Sequence, residues 1–169
     1  MRKLQLLKAL IDLFYFFAII ATAGMLIVVP IILFNPGTID IKIKGQLIET
    51  TNQATQFLLV FAAAGGLCFI YAIHLLRKTV GHFQKREIFH PMVILNLNRM
   101  GIFIIASSLL TSIPLFFYNM IERNHLGLQI GAEGFDSLIL SVSLGLFFMV
   151  LSEVFKIALR FKEENELTV

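Results

Sequence analysis

The side chains that could do chemistry are few and scattered. A haem between membrane helices needs axial ligands facing each other at membrane depth, and zinc needs several ligands at close spacing. The four histidines show neither pattern, because only the first falls inside a long apolar run: His74, His82, His90 and His125. Five serines lie in apolar runs without a histidine or acid at comparable depth: Ser107, Ser108, Ser112, Ser141 and Ser143. We expect their hydroxyls to bond helix carbonyls, and we predict no enzyme, no metal and no cofactor.

The most informative charges lie near the end of the chain. Glu153, Lys156, Arg160 and Glu164 recur at spacings of three to four, which places them along one stripe of a helix. The sixteen uncharged residues 137–152 cover only about 24 Å, so Glu153 is predicted at the inner edge of a membrane. We expect a structural ion pair in which Arg77 or Arg99 neutralises Glu153, with this stripe facing the bundle or the cytoplasmic loop at 77–99. A partner-binding face is the alternative.

The elements that must position these residues are membrane spans. Hydrophobic residues make up 57% of the 169 positions and charged residues 15%, against about a quarter in soluble domains. Apolar runs predict an all-α fold, a bundle of four membrane helices in a single domain. The predicted spans cover residues 10–34, 57–76, 100–121 and 137–160. They are joined by loops at 35–56, 77–99 and 122–136.

The cations are divided unequally between the two sides of these spans. Eleven belong to the side that carries both termini and the 77–99 loop, and three belong to the other side: Lys42, Lys44 and Arg123. The positive-inside rule therefore predicts an inner-membrane protein with both termini cytoplasmic. The basic rim would contact anionic headgroups, and we predict no direct nucleic-acid binding. A transporter would favour ionisable groups at mid-membrane, whereas Asp12 and Glu153 both lie near inner ends.

Loop patterns add detail. Alternating apolar residues at 39–48 and 126–130 predict strands, which we expect to pair into a small extracytoplasmic β element built from both outer loops. Residues 88–99 favour a short interfacial helix that runs into the third span, with Pro91 near its start. Small residues four apart in each span favour close helix packing, and they do not distinguish packing within one chain from a homo-oligomer.

The last residues, "LSEVFKIALRFKEENELTV", resemble the C-terminal signature of a bacterial membrane family catalogued as domain of unknown function 2975. The matching positions are Glu153, Val154, Phe155, Arg160 and residues 163–169. The resemblance implies a four-span protein without an assigned activity. It also implies a small helix-turn-helix transcriptional regulator encoded nearby, and so a soluble partner.

These observations predict a non-enzymatic accessory or regulatory membrane protein whose cytoplasmic face binds that partner. The candidate ion-pair or partner contacts are Asp12, Arg77, Arg99, Glu153, Lys156, Arg160 and Glu164. The alternative is a small oligomeric transporter of a small molecule or lipid.

Overall fold

A computed structural model of the chain describes residues 2–35, 41–43, 46–48, 53–122 and 132–167. Four long helices dominate it: α1 (Arg2–Phe34), α2 (Gln53–Gln84), α3 (Pro91–Glu122) and α4 (Ala132–Leu167). All four are long and apolar enough to cross a membrane. The prediction of four apolar helices is therefore confirmed, and it indicates a multi-pass membrane protein.

Consecutive helices are antiparallel neighbours. Close approaches of α2 to α1 pair Arg77 with Asp12 near one end and Gly66 with Met25 further along. The largest buried cluster lies between α2 and α3, and α4 adds Phe148, Leu151 and Phe155 to it. Among the described residues, α1 has extensive contacts with α2 alone. The four helices thus form a three-helix core with α1 attached to one side.

A single stripe attaches α1 to α2. Its least exposed positions recur at alternating spacings of four and three, which is the heptad pattern of helices that pack at a shallow angle. The stripe contains Leu4, Lys8, Ile11, Tyr15, Ala18, Thr22, Met25, Val29 and Ile32. Most apolar side chains outside this stripe are exposed, as expected for a helix whose other faces meet lipid.

The predicted β element is not supported as stated. Strand β1 (Ile41–Ile43) pairs with β2 (Gln46–Ile48) in a three-residue antiparallel ribbon that belongs entirely to the segment between α1 and α2. In the second loop, residues from Ala132 are helical, and 123–131 lie outside the described residues. A two-stranded ribbon this short is not a sheet that could hold two loops together.

The predicted 77–99 loop is mostly helical. Helix α2 continues to Gln84 and α3 begins at Pro91, so residues 85–90, which we call the connector, are all that joins them. Pro91 is the first helical residue, as its fixed φ favours, but α3 then runs on without a separate interfacial helix. Polar residues can continue a helix past the hydrocarbon, because its backbone hydrogen bonds are internal.

Candidate interaction site at the basic end of the helices

We call the end of the helices that carries the connector the basic end, because Lys8, Arg77, Lys78 and Lys85 lie there. The connector starts with a tight C-terminal cap on α2. The backbone N–H of Glu87 donates to His82 O at 3.0 Å, and that of Arg86 donates to Phe83 O at 3.2 Å. This is the bonding pattern of a Schellman motif. Arg86 takes the left-handed position, with φ at 62°, where glycine is usual.

Two histidines flank this turn, His82 in the last turn of α2 and His90 at the end of the connector. His82 Nδ1 lies 2.9 Å from Glu87 Oε2, so the side chains reinforce the cap that their backbones form. The hydrogen bond with His82 lowers the pKa of the Glu87 carboxyl from its usual range. At the other end, the Met92 N–H donates to His90 Nδ1 at 3.1 Å, which makes His90 the N-cap of α3. The two imidazole rings stack with centroids 5.0 Å apart.

Helix α4 is held against this connector by Phe155. Its ring makes edge-to-face contacts with Phe83 at the end of α2 and with Phe89 in the connector, at centroid distances of 6.2 and 6.1 Å. One turn earlier, Ser152 Oγ donates to the Ile94 carbonyl oxygen at 2.7 Å. These contacts fix the level of α4 relative to the start of α3.

Beyond Phe155, α4 continues as a helix to Leu167. These 12 residues, which we call the extension, add about 18 Å past the connector. An apolar stripe runs from the core part of α4 onto the extension at heptad spacing, and each of its side chains is more than half exposed: Phe147, Val150, Val154, Ile157 and Phe161. Because the extension continues α4, its helix needs no new nucleus, and what it lacks among the described residues is a surface that covers this apolar stripe.

The predicted charged stripe begins just before Phe155 and continues onto the extension, but it does not face the core. Glu153, Lys156, Arg160 and Glu164 are all exposed. The core-facing side is formed by Phe148, Ser152 and Phe155. Of the two expected orientations, the one toward the bundle is wrong. The one toward the 77–99 loop and the role of the stripe as a partner contact stay predictions.

The expected neutralisation of Glu153 is also not found. Arg77 bonds Asp12 through Nε and Oδ1 at 2.6 Å, and no described cation lies within ion-pair distance of Glu153. The reason is the level at which these cations lie along the bundle. The contact of Gly101 with Gly145 places the exposed Arg99 near residue 147, about 9 Å short of Glu153.

A second polar group lies on the contact between α1 and α2. Asp12 and Arg77 form its ion pair, and the Arg77 guanidinium lies 5.1 Å from the centroid of the Tyr15 ring. Tyr15 packs on His74 at 5.5 Å, and Tyr71 flanks His74 at 6.3 Å. The Nδ1 atom of His74 is shielded from solvent and has no hydrogen-bond partner among the described residues. The sequence placed Asp12 and Arg77 near the inner edge without indicating that they pair.

Small residues mark the tightest crossings. A Cβ on Gly101 would overlap the Gly145 carbonyl oxygen, and a Cβ on Gly145 would lie 2.8 Å from the Gly101 carbonyl oxygen. A Cβ on Gly65 would lie 2.6 Å from Thr111 Oγ1. The sequence pattern included Gly145 but missed Gly101 and Gly65, since neither is followed by a small residue four positions later. These contacts show that small residues serve packing within one chain.

Of the five serines that were expected to bond helix carbonyls, Ser141 does so, and three threonines make the same kind of bond. Thr22, Thr79, Thr111 and Ser141 each donate to the carbonyl oxygen four residues earlier, at 2.6 to 2.9 Å. Within the described part of the chain, no three histidine, cysteine or acidic side chains are grouped to hold a metal ion.

Comparison with known proteins agrees with this architecture. Residues 36–169 match the sequence profile of a family described as "Protein of unknown function (DUF2975)". The chain belongs to this family. The DUF2975 match begins just after α1 and covers α2, α3 and α4, which form the core, together with the connector and the extension. No curated protein and no solved structure matches the chain.

Proposed function

We propose that this DUF2975 protein is a non-enzymatic accessory or regulatory component of a bacterial inner membrane, and that its cytoplasmic face binds a soluble partner. The observation that carries the proposal is the extension of α4. It projects beyond every other helix at the basic end and presents Ile157 and Phe161 next to the charges of Lys156 and Arg160. An exposed apolar stripe with a charged flank is typical of a helix that docks into a partner's groove.

The connector supplies a route by which partner binding and the membrane core could influence each other. Phe155 is the last α4 side chain in the described aromatic cluster, and it touches both Phe83 and Phe89. A partner that pulls or rotates the extension therefore acts first on the connector. The orientation with both termini in the cytoplasm follows from the eleven cations of the basic end and is part of the proposal.

The candidate partner is the small helix-turn-helix regulator that the family resemblance implies as a genomic neighbour. The test is co-purification of that regulator with the tagged protein from native membranes. We expect recovery to fall at least tenfold when Ile157 and Phe161 are both changed to serine, or when the chain is cut after Arg160. A variant with Lys162 and Glu163 both changed to serine is the matched control, because it alters two exposed extension residues outside the apolar stripe without changing net charge.

Equal recovery of the regulator by every variant would contradict a role for the extension. Loss of a stable protein dimer in the apolar variant, with unchanged regulator recovery, would instead assign the stripe to self-association. Membrane insertion and expression are measured for each variant, so that a loss of regulator recovery is not mistaken for a loss of inserted protein.

A small oligomeric transporter is the second candidate, and one cavity favours it. Between α3 and α4, on the side away from the connector, a space of about 160 Å³ is lined by the hydroxyl residues Ser107, Ser108, Thr111, Ser137 and Ser141. Toward the basic end, however, Gly101 and Gly145 bring the two helix backbones into contact. That closure argues against a path through this chain. Substrate flux in proteoliposomes that is abolished by Ser108→Leu, which fills the cavity, in a variant that still folds, would favour the transporter.

A further inference from the structure

The contact line between α1 and α2, which we call the seam, changes character along its length. Its basic end carries the Asp12–Arg77 ion pair, the rings of Tyr15 and Tyr71, and His74. Further along, the seam is apolar, and Gly66 lies opposite Met25 there. A polar group followed by an apolar stretch on one helix pair is an arrangement that suits an amphiphilic molecule.

The polar end of the seam has unused hydrogen-bonding capacity for an anion. A guanidinium has five N–H donors, and Asp12 engages Arg77 through Nε. The two Nη groups of Arg77 make no hydrogen bond to the described residues, and its side chain is 44% exposed. Lys78 is exposed beside it, and Lys8 lies one turn from Asp12 on the seam stripe. Three cations thus surround one carboxylate, so the local charge favours an anionic ligand.

The apolar end of the seam has room for a hydrocarbon chain. A cavity of about 110 Å³ lies between the same two helices and is lined by Thr22, Met25, Leu26, Val29, Ala63 and Leu67. From Asp12 to Met25 the helix rises about 20 Å, which corresponds to the distance from the headgroup boundary to just beyond the bilayer centre. An acyl chain that begins at Arg77 and lies along the outside of the seam therefore reaches the level of this cavity.

We propose that the seam binds an anionic phospholipid of the bilayer, with its phosphate on Arg77 and Lys78 and one acyl chain in the cavity between α1 and α2. Basic pockets between membrane helices are established sites for anionic headgroups. Asp12 acts as a positioning residue that holds the guanidinium toward the seam. His74 adds a shielded nitrogen without a protein partner beside the headgroup position. The lipid would tie α1, which has extensive contacts with α2 alone among the described residues, to the core.

The test is native mass spectrometry of the intact protein in detergent with added phosphatidylglycerol or phosphatidylcholine. We expect one tightly held phosphatidylglycerol per chain, and about 10- to 30-fold weaker retention after Arg77→Gln with Lys78→Gln, as expected for the loss of two interfacial cations. Arg99→Gln is the matched control, because it removes an exposed cation of α3 and leaves the seam intact. Ala63→Leu, which fills the cavity, should weaken the binding of long-chain phosphatidylglycerol more than the binding of dioctanoyl phosphatidylglycerol.

Three outcomes would overturn the proposal. If phosphatidylcholine is retained as well as phosphatidylglycerol, the site does not select an anionic headgroup. If Arg99→Gln weakens phosphatidylglycerol retention as much as the Arg77 and Lys78 changes do, the effect of charge is nonspecific. Displacement of the lipid by millimolar inorganic phosphate, with no effect of Ala63→Leu, would show a site for free phosphate alone. The Ala63 variant keeps the proposal testable if the double charge variant fails to fold.

Discussion

The crossing of α3 and α4 gives the sharpest stability prediction. Gly145→Ala adds one methyl group at a position where its carbon would lie 2.5 Å from Ile105 Cγ1 and 2.8 Å from the Gly101 carbonyl oxygen. The isoleucine side chain can rotate, but the backbone oxygen cannot. Ordinary contact at 3.4 Å requires the helices to separate by about 0.6 Å, and a gap of that size forfeits roughly a quarter of the dispersion energy of the pairs it opens.

The expected size follows from two opposing effects. Overpacking costs about 1–3 kcal/mol, whereas replacing a helical glycine by alanine stabilises by about 0.5–1 kcal/mol. We therefore expect Gly145→Ala to lower the free energy of unfolding by about 1–2 kcal/mol. Gly24→Ala is the control, because a Cβ there meets nothing within 4 Å and only the favourable effect remains. The two single-methyl changes should shift stability in opposite directions.

Thermal unfolding in one detergent, followed with a thiol-reactive dye at Cys68, measures both variants. For a chain of this length, the expected change is a melting temperature about 2–8 °C lower for Gly145→Ala and slightly higher for Gly24→Ala. Gly101→Ala should resemble Gly145→Ala, and the double variant should cost less than the sum, because both methyl groups open the same contact. A Gly145→Ala protein that melts at or above the wild-type temperature would refute the close crossing.

Three further predictions concern the connector. Arg86→Gly should stabilise the protein by about 1 kcal/mol, measured as a higher melting temperature, because Arg86 occupies a left-handed position that glycine adopts without strain. Phe155→Ala should destabilise it by about 1–3 kcal/mol through loss of two edge-to-face ring contacts, and should increase protease cleavage of the extension. Glu87→Gln should lower stability at neutral pH and flatten its dependence on acid, followed by melting scans from pH 7 to pH 3. The hydrogen bond with His82 lowers the folded pKa of Glu87, so its contribution is present above the ordinary value of about 4.5 and is lost as pH falls through the folded value.

Each connector prediction has a result that would contradict it. Arg86→Ala serves as the comparison for Arg86→Gly, and equal stability of the two would show that the backbone conformation carries no strain. An extension that stays protected in Phe155→Ala would mean that another contact anchors it. If Glu87→Gln and the wild type lose stability in parallel below about pH 4.5, the His82 contact contributes nothing to the acid response.

The architecture was predictable because membrane spans can be recognised from amino-acid composition. Runs of uncharged residues as long as the bilayer is thick leave a helix as the only way to satisfy the backbone, so the four helices follow from hydropathy alone. Their ends were not predictable in the same way. The extra residues of α2, 77–84, are largely polar, and hydropathy cannot distinguish a polar helical turn from a polar loop. The extra residues of α3, 91–99, are mostly apolar, and their pattern did not show that they continue the third span without a break.

The sequence predicted at which end of the helices the candidate residues lie, but it did not predict which of their charges form ion pairs. Cations and acids concentrate at one end of the helices in the sequence, and the structure places Asp12, Arg77, Lys156 and Arg160 there. Which charges meet depends on which helices are neighbours. Arg77 faces α1 rather than α4, and a single sequence contains no signal for that choice. The capping role of His90 could have been suspected from Pro91, since proline at the first helical position directs attention to the residue before it.

The apolar stripe of α4 shows why the exposure of these side chains could not be inferred from sequence spacing and required the structure. Phe147, Val154 and Phe161 recur every seven residues, and so do many side chains that face the core. In the hydrocarbon part of α4, exposure needs no protein partner because lipid covers it. On the extension the same stripe continues past the connector, to a level that no other described helix reaches. The proposed partner would cover Ile157 and Phe161 there. The charges beside them on α4 are of both signs, and a mixed-charge flank fits a protein surface better than a uniformly anionic one.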